Sequence, residues 1–307
     1  MIEPDRIIAW LAETAGPRPA TASPLGRSYS RFYSLEFPST AHEMGLVQAG
    51  NFQVFVQKFS RHGERHGTVL MLHGYLDHSG LQAPSISRLL DLGFDVVALD
   101  HPGHGLSSGD RASIPGFQAY VDSLAAAIGH FPDVQTPLTV MGHSMGGAIA
   151  MTYLLQHPGV FERAVLIAPL FRPKSWRLLR TVHVFGRRLI RGQRRLFRDN
   201  TRDEEYRQFI REKDPLSPRF IPTEWVTAMF AWVRDFHQLA PVATRVLVVQ
   251  GTDDGTVDWR GNIVMIRKKF PGASIHIVNE GKHQLLNEID EWRHRTWEPI
   301  EPFLLEH

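Results

Sequence analysis

The run Leu138-Thr139-Val140-Met141-Gly142-His143-Ser144-Met145-Gly146-Gly147 puts a serine where a hydroxyl can become a nucleophile. A short strand-like stretch leads into Gly-His-Ser-Met-Gly, and an Ala-rich helical pattern follows at once. A serine at the tip of a strand-to-helix turn is the setting of a nucleophile elbow. Gly142 and Gly146 flank it because a side chain at either place would strike the neighbouring strand or helix. Strained backbone at Ser144 would lift the hydroxyl clear of the sheet. A blander reading, a serine that only N-caps the next helix, fits the same spacing.

A serine hydroxyl is a weak nucleophile near neutral pH, so this chemistry demands a base and a carboxylate to orient it. After an elbow of this kind the chain order should be serine, acid, histidine. The apolar run over residues 245–250 reads as a buried strand. It enters Gly251-Thr252-Asp253-Asp254-Gly255-Thr256-Val257-Asp258, a turn with three carboxylates. A helix over 261–270 and a strand over 273–278 lead on to Asn279-Glu280-Gly281-Lys282-His283-Gln284. Both turns fall just past the carboxyl ends of strands, where open α/β sheets carry their sites. Asp253, Asp254 and Asp258 all remain open on local grounds, since Asp also populates turns for its own reasons. Among sixteen histidines, only its place after the last strand singles out His283.

With these residues in hand, the chain resembles the α/β-hydrolase superfamily, and within it the monoglyceride lipase and lysophospholipase-like serine hydrolases. The resemblance rests on His73-Gly74-Tyr75-Leu76-Asp77-His78-Ser79-Gly80 and on Leu99-Asp100-His101-Pro102-Gly103-His104-Gly105-Leu106-Ser107-Ser108-Gly109. It continues through the elbow, through Ala164-Val165-Leu166-Ile167-Ala168-Pro169-Leu170, and through the Gly251 and His283 turns. It spans roughly residues 45–170 and 240–305. In that group's pattern the acid closes Gly-x-x-Asp, which implies Asp254, and the histidine matches His283. Many relatives follow Ser-Gly with Arg-Tyr, where this chain has Leu81-Gln82.

The expected catalytic set is therefore Ser144, Asp254 and His283. Two backbone amides, of Met145 after the nucleophile and Tyr75 in the loop after the strand over 68–72, should form an oxyanion hole. Gly74 lets that loop come close to a substrate. His143 reads as structural, its side chain pointing away from the elbow tip, while His78, His101 and His104 read as braces of the pocket floor. The resemblance implies hydrolysis of small-molecule or lipid esters, such as monoacylglycerols and lysophospholipids, with no cofactor. Amidase or aminopeptidase, lactonase and perhydrolase chemistry would use the same residues, and a non-catalytic ligand-binding member of the fold is the rival from another class. Dehalogenase and epoxide hydrolase readings fail, because their elbow carries an aspartate.

To position such a site, the alternating strand and helix patterns call for an α/β fold: a mostly parallel central sheet flanked by helices. The 307 residues read as one α/β-hydrolase domain, 1–307, and a hydrophobic content of 43% suits a sizeable core. Residues 1–40 read as an amphipathic helix over 1–12 and a Pro/Ser/Gly-rich connector over 16–26. A hairpin should pair 45–48 with 52–57 across Ala49-Gly50-Asn51. Residues 171–238 read as a helical lid inserted after the strand ending near Leu170. Its first part carries ten Lys or Arg residues from Arg172 to Arg198, with no acid until Asp199. Interleaved apolar residues make this a set of basic amphipathic pieces. They suit weak association with an anionic membrane surface or an anionic substrate, or are simply a solvated face. Later in the lid, Trp225, Met229 and Phe230 suit an acyl-binding wall.

Composition limits the rest. Net charge is +2, and no basic-aromatic stripe recurs elsewhere, so nucleic acid is not an expected partner. The absence of cysteine removes disulfides, thiolate metal sites and thiol catalysis. His62 with His66, and His101 with His104, lack a carboxylate at ligand spacing, so no metal site is expected. The N-terminal apolar run is too short for a signal peptide or membrane span, which points to a cytoplasmic protein.

Overall fold

The computed structural model describes residues 2–13, 16–63, 65–131, 136–187 and 189–306. Its strands are β1 (Arg18–Pro19), β2 (Thr40–Ala49), β3 (Phe52–Arg61), β4 (Thr68–Leu72), β5 (Asp95–Leu99), β6 (Leu138–His143), β7 (Arg163–Ile167), β8 (Gly192–Arg194), β9 (Phe220–Pro222), β10 (Arg245–Gly251) and β11 (Ser274–Val278). The helices are α1 (Pro4–Ala12), α2 (Pro24–Phe32), α3 (Ala83–Asp91), α4 (Gln118–His130), α5 (Met145–Gln156), α6 (Trp176–Gly186), α7 (Glu204–Gln208), α8 (Thr223–Phe236), α9 (Trp259–Lys269), α10 (Asp290–Trp297) and α11 (Ile300–Leu305).

One sheet runs in the order β1-β2-β3-β5-β4-β6-β7-β10-β11. From β5 to β11 every pairing is parallel, while β1, β2 and β3 form an antiparallel edge. Strands β4, β5 and β7 are buried along their whole length, which is why they read as continuous apolar runs. Side chains still alternate between faces. Leu70 and Leu72 pack with α4, α5, α8 and α9, whereas Val69 and Met71 pack with α1, α2, α3, α10 and α11. The parallel strands bring the ends of β4, β6, β10 and β11 to one edge of the sheet.

Three local expectations need correction. The connector over 16–26 is not a passive linker: it holds β1 and runs into α2. Ser23 accepts a hydrogen bond from the Leu25 amide at 3.1 Å and Pro24 opens the helix. The Ser-Pro pair is cap chemistry that composition alone reads as linker. The hairpin turns in two residues, Gly50 and Asn51, since Ala49 pairs with Phe52, and its strands run longer than expected. The insert after β7 is not purely helical. It contains the antiparallel pair β8 and β9, and between them a short α7 that widens into a π-helical turn over Phe209–Lys213.

The insert is anchored where no local pattern pointed. Glu288, fully buried, accepts from Thr201 Oγ1 at 3.0 Å, from the Arg202 amide at 2.8 Å and from the Arg202 guanidinium at 3.1 Å. Arg188, part of the basic run, lies outside the described residues.

Candidate active site

Ser144 sits between β6 and α5 with φ 52° and ψ −112°, a backbone region an L-residue holds only when its surroundings over-determine it. Those surroundings are tight. A Cβ on Gly146 would lie 2.1 Å from the Leu72 carbonyl oxygen, and one on Gly142 would lie 2.5 Å from that of Gly146. The serine side chain makes no cap bond to α5, so the N-cap reading falls. Its Oγ faces His283 Nε2 at 3.0 Å instead.

On the other side of the ring, His283 Nδ1 donates to Asp254 Oδ2 at 2.7 Å. Among the three carboxylates of that turn, Asp254 alone points inward. Asp253 is exposed, and Asp258 N-caps α9 by accepting from the Gly261 amide at 3.3 Å. The buried Asp254 accepts further bonds from the amides of Thr256 (2.8 Å) and Val257 (3.1 Å) and from Gln250 Nε2 (3.1 Å). Burial pushes its carboxyl pKa upward. The His283 ring and these amide donors outweigh that push and hold it down at about 2. An ionised Asp254 keeps the proton on Nδ1 and leaves the Nε2 lone pair facing the serine hydroxyl.

The loop after β4 abuts this chain of hydrogen bonds. A Cβ on Gly74 would come within 3.4 Å of Ser144 Cβ and 2.9 Å of His143 Nδ1. Tyr75 follows directly, and Met145 opens α5, where amides have no partner within the helix. Met145 is thus the chain neighbour of Ser144, and Tyr75 follows the glycine that packs against it.

Some residues play parts that the sequence pattern did not disclose. His143 does not stand apart from the site: its Nε2 donates to the His283 carbonyl at 3.0 Å, bracing the histidine loop. Burial, then the neighbouring His283, lowers its pKa to about 3, so it stays neutral. Gln250, a polar residue closing an apolar strand, was the one visible hint of a buried partner for the acid. His73 packs at a tilt against the buried rings of His101 and His104, and its Nε2 accepts from the His101 amide at 2.9 Å. His78 Nε2 instead reaches Asp214 of the insert at 3.2 Å. Of the three wall candidates, Trp225 stacks on Tyr75 with centroids 3.7 Å apart, and Met229 is buried in the core. Phe230 lies between α6 and α8 against Trp176 and His183, so it joins the insert's helices to each other.

The hydrolase family described as Serine aminopeptidase, S33 matches residues 63–290, about three quarters of the sequence. The chain belongs to this family. It is 26% identical to the monoacylglycerol lipase of Mycolicibacterium smegmatis over 83% of this chain and 97% of that protein. To the monoglyceride lipase of Homo sapiens it is 34% identical over 41% of this chain and 42% of that one. Solved structures share the fold. A monoacylglycerol lipase of Paleococcus ferrophilus superposes with a TM-score of 0.69 at 22% identity, over 82% of this chain and 98% of that one. A soluble variant of monoglyceride lipase from Saccharomyces cerevisiae, in complex with a substrate analog, gives 0.74 at 18%, over 89% and 97%. The family member described here is thus an α/β-hydrolase with a mostly parallel sheet.

Proposed function

We propose that this protein is a carboxylic ester hydrolase that cleaves monoacylglycerols and related lysolipid esters through an acyl-enzyme on Ser144. The observation that carries the reading is His283 standing 3.0 Å from Ser144 Oγ and 2.7 Å from Asp254. His283 takes the serine proton as Oγ adds to the ester carbonyl. Asp254 stabilises the imidazolium that forms. The amides of Met145 and Tyr75 donate to the oxyanion, the first helped by the positive end of α5. Collapse of the tetrahedral intermediate expels the alcohol, which receives its proton from His283. Water then repeats the sequence and releases the acid. The names of the relatives supply the substrate class. The test is a panel of p-nitrophenyl esters from acetyl to palmitoyl, with monoacylglycerol and lysophosphatidylcholine alongside. Turnover of none of them would sink the reading.

The insert acts as a lid in this reading, since its Trp225 stacks on Tyr75 of the loop after β4. It also suits an anionic lipid surface. Phe185 and Leu189 are 80% and 87% exposed, and the exposed Arg177, Arg180, Arg187 and Arg191 precede and follow them along the chain. Each such arginine contributes about 1 kcal/mol at a charged bilayer. The expected result is sedimentation with phosphatidylglycerol vesicles, much less with phosphatidylcholine, and release as salt rises from about 0.1 M to 1 M. Equal binding to both, indifferent to salt, would leave only a solvated basic face. Among the described residues no helix is long and apolar enough to cross a membrane.

A further inference from the structure

The insert grips the loop after β4 at three of four successive residues. Trp225 of α8 stacks on Tyr75 at 3.7 Å with the rings 16° from parallel. Arg195 donates through Nη1 to the Leu76 carbonyl oxygen at 3.1 Å. Asp214 accepts from His78 at 3.2 Å and from Tyr33 at 2.8 Å. These contacts come from three separate stretches of the insert. Between them Leu76 holds φ at +65°, a conformation a leucine keeps only when its neighbours impose it.

Arg195 differs from most of the basic run. Arg177, Arg180, Arg187, Arg191, Arg194 and Arg198 are exposed, whereas Arg195 is half-buried. The same Nη1 that reaches Leu76 also reaches Ser217 Oγ at 2.7 Å and the Pro218 carbonyl at 3.3 Å. The guanidinium thus rivets the loop to the 217–218 turn of the insert.

We propose that Arg195 is a positioning residue for the oxyanion hole: by holding the Leu76 carbonyl it fixes the strained turn that aims the Tyr75 amide at the reacting carbonyl. This rests on the role given to Tyr75 in the reading above. The hole is then complete only while the insert sits on the loop, so lid closure and transition-state stabilisation are one event. A ground-state acyl chain makes no use of this donor, so the effect should fall on kcat and leave KM nearly untouched.

Two readouts test it on the full chain: steady-state hydrolysis of p-nitrophenyl butyrate, and the rate at which a fluorophosphonate labels Ser144. The second develops charge on a phosphoryl oxygen in the same hole, whatever the natural substrate. Loss of a donor typically costs about 100- to 1,000-fold and a 1 Å misplacement about 100-fold. Arg195→Ala should therefore lower kcat and the labelling rate together by about 10- to 100-fold, with KM within about threefold. Arg195→Lys should recover part of both, and the exposed neighbour variant Arg194→Ala should match wild type. Unchanged kcat and labelling in Arg195→Ala, or a change in KM alone, would overturn the proposal. Should Arg195→Ala fail to fold, Arg195→Met, which keeps the buried stem but has no donor for the Leu76 carbonyl, is judged by the same criterion. A wild type that labels but cleaves no ester would end the ester reading while the labelling rates still decide on Arg195.

Discussion

Ser144→Ala is expected to lower kcat on p-nitrophenyl esters and monoacylglycerol by about a millionfold. Removing Oγ closes the covalent route, while His283, Asp254 and the two amides stay in place. What survives is the binding and electrostatic stabilisation these provide, about a thousandfold or more above the uncatalysed rate. Stability should change little. The lost Oγ–Nε2 hydrogen bond is worth on the order of 1 kcal/mol, and alanine meets the same φ penalty as serine. Spectrophotometric turnover, paired with intact-mass detection of the fluorophosphonate adduct, checks both halves. More than about 1% of wild-type activity in a folded, unlabelled alanine variant would overturn the mechanism.

Asp254→Asn should cost about four orders of magnitude in kcat, although it changes no volume. The geometry says why. All four partners of this carboxylate are donors: the Thr256 and Val257 amides on Oδ1, and His283 Nδ1 and Gln250 Nε2 on Oδ2. An asparagine must keep its oxygen toward the two amides, so its NH2 group turns to His283. The ring can meet that donor only by moving its proton to Nε2, and the lone pair facing Ser144 is gone. Asp253→Asn and Asp258→Asn should stay near wild type, because the first is exposed and Asn caps a helix as well as Asp does. Comparable losses at either position would move the acid elsewhere.

The same substitution carries a pH signature in stability. A carboxyl held at about 2 in the folded state, against about 3.9 unfolded, stabilises the fold above the unfolded value. That contribution is lost as pH falls from about 4 toward 2. Thermal melts of wild type and Asp254→Asn should therefore differ most at pH 5–6 and converge in acid, by on the order of 2 kcal/mol. Curves that stay parallel down to pH 3 would contradict the depressed pKa.

Much of the site was legible along the chain because its causes are local. An elbow needs small residues beside the serine, and Gly142 and Gly146 announce it. Parallel strands buried on both faces must be short and apolar, so the ends of the runs before Gly251 and Asn279 mark where functional turns lie. The misread pieces share a cause as well. Ser23-Pro24 and the α7 region combine residues whose local preferences suit both turns and helix starts, and only packing chooses between them. Tyr29, fully buried on α2 against Phe55, shows what made that choice.

What the amino-acid order determined unaided was the glycine-flanked serine of the elbow, the order in which a carboxylate turn and a histidine turn follow it, and the parallel sheet that carries them. Each follows from bonds and sterics within a few residues. Local residues left three turn carboxylates open and only the resemblance pointed to Asp254; the tertiary structure shows which of them meets the imidazole, and it alone disclosed that His143 braces the His283 loop and that Arg195 reaches Leu76. These contacts join residues 29, 140 and 119 positions apart. Their geometry is set by how the insert and the strand ends pack over the sheet, and no periodicity along the chain carries that information.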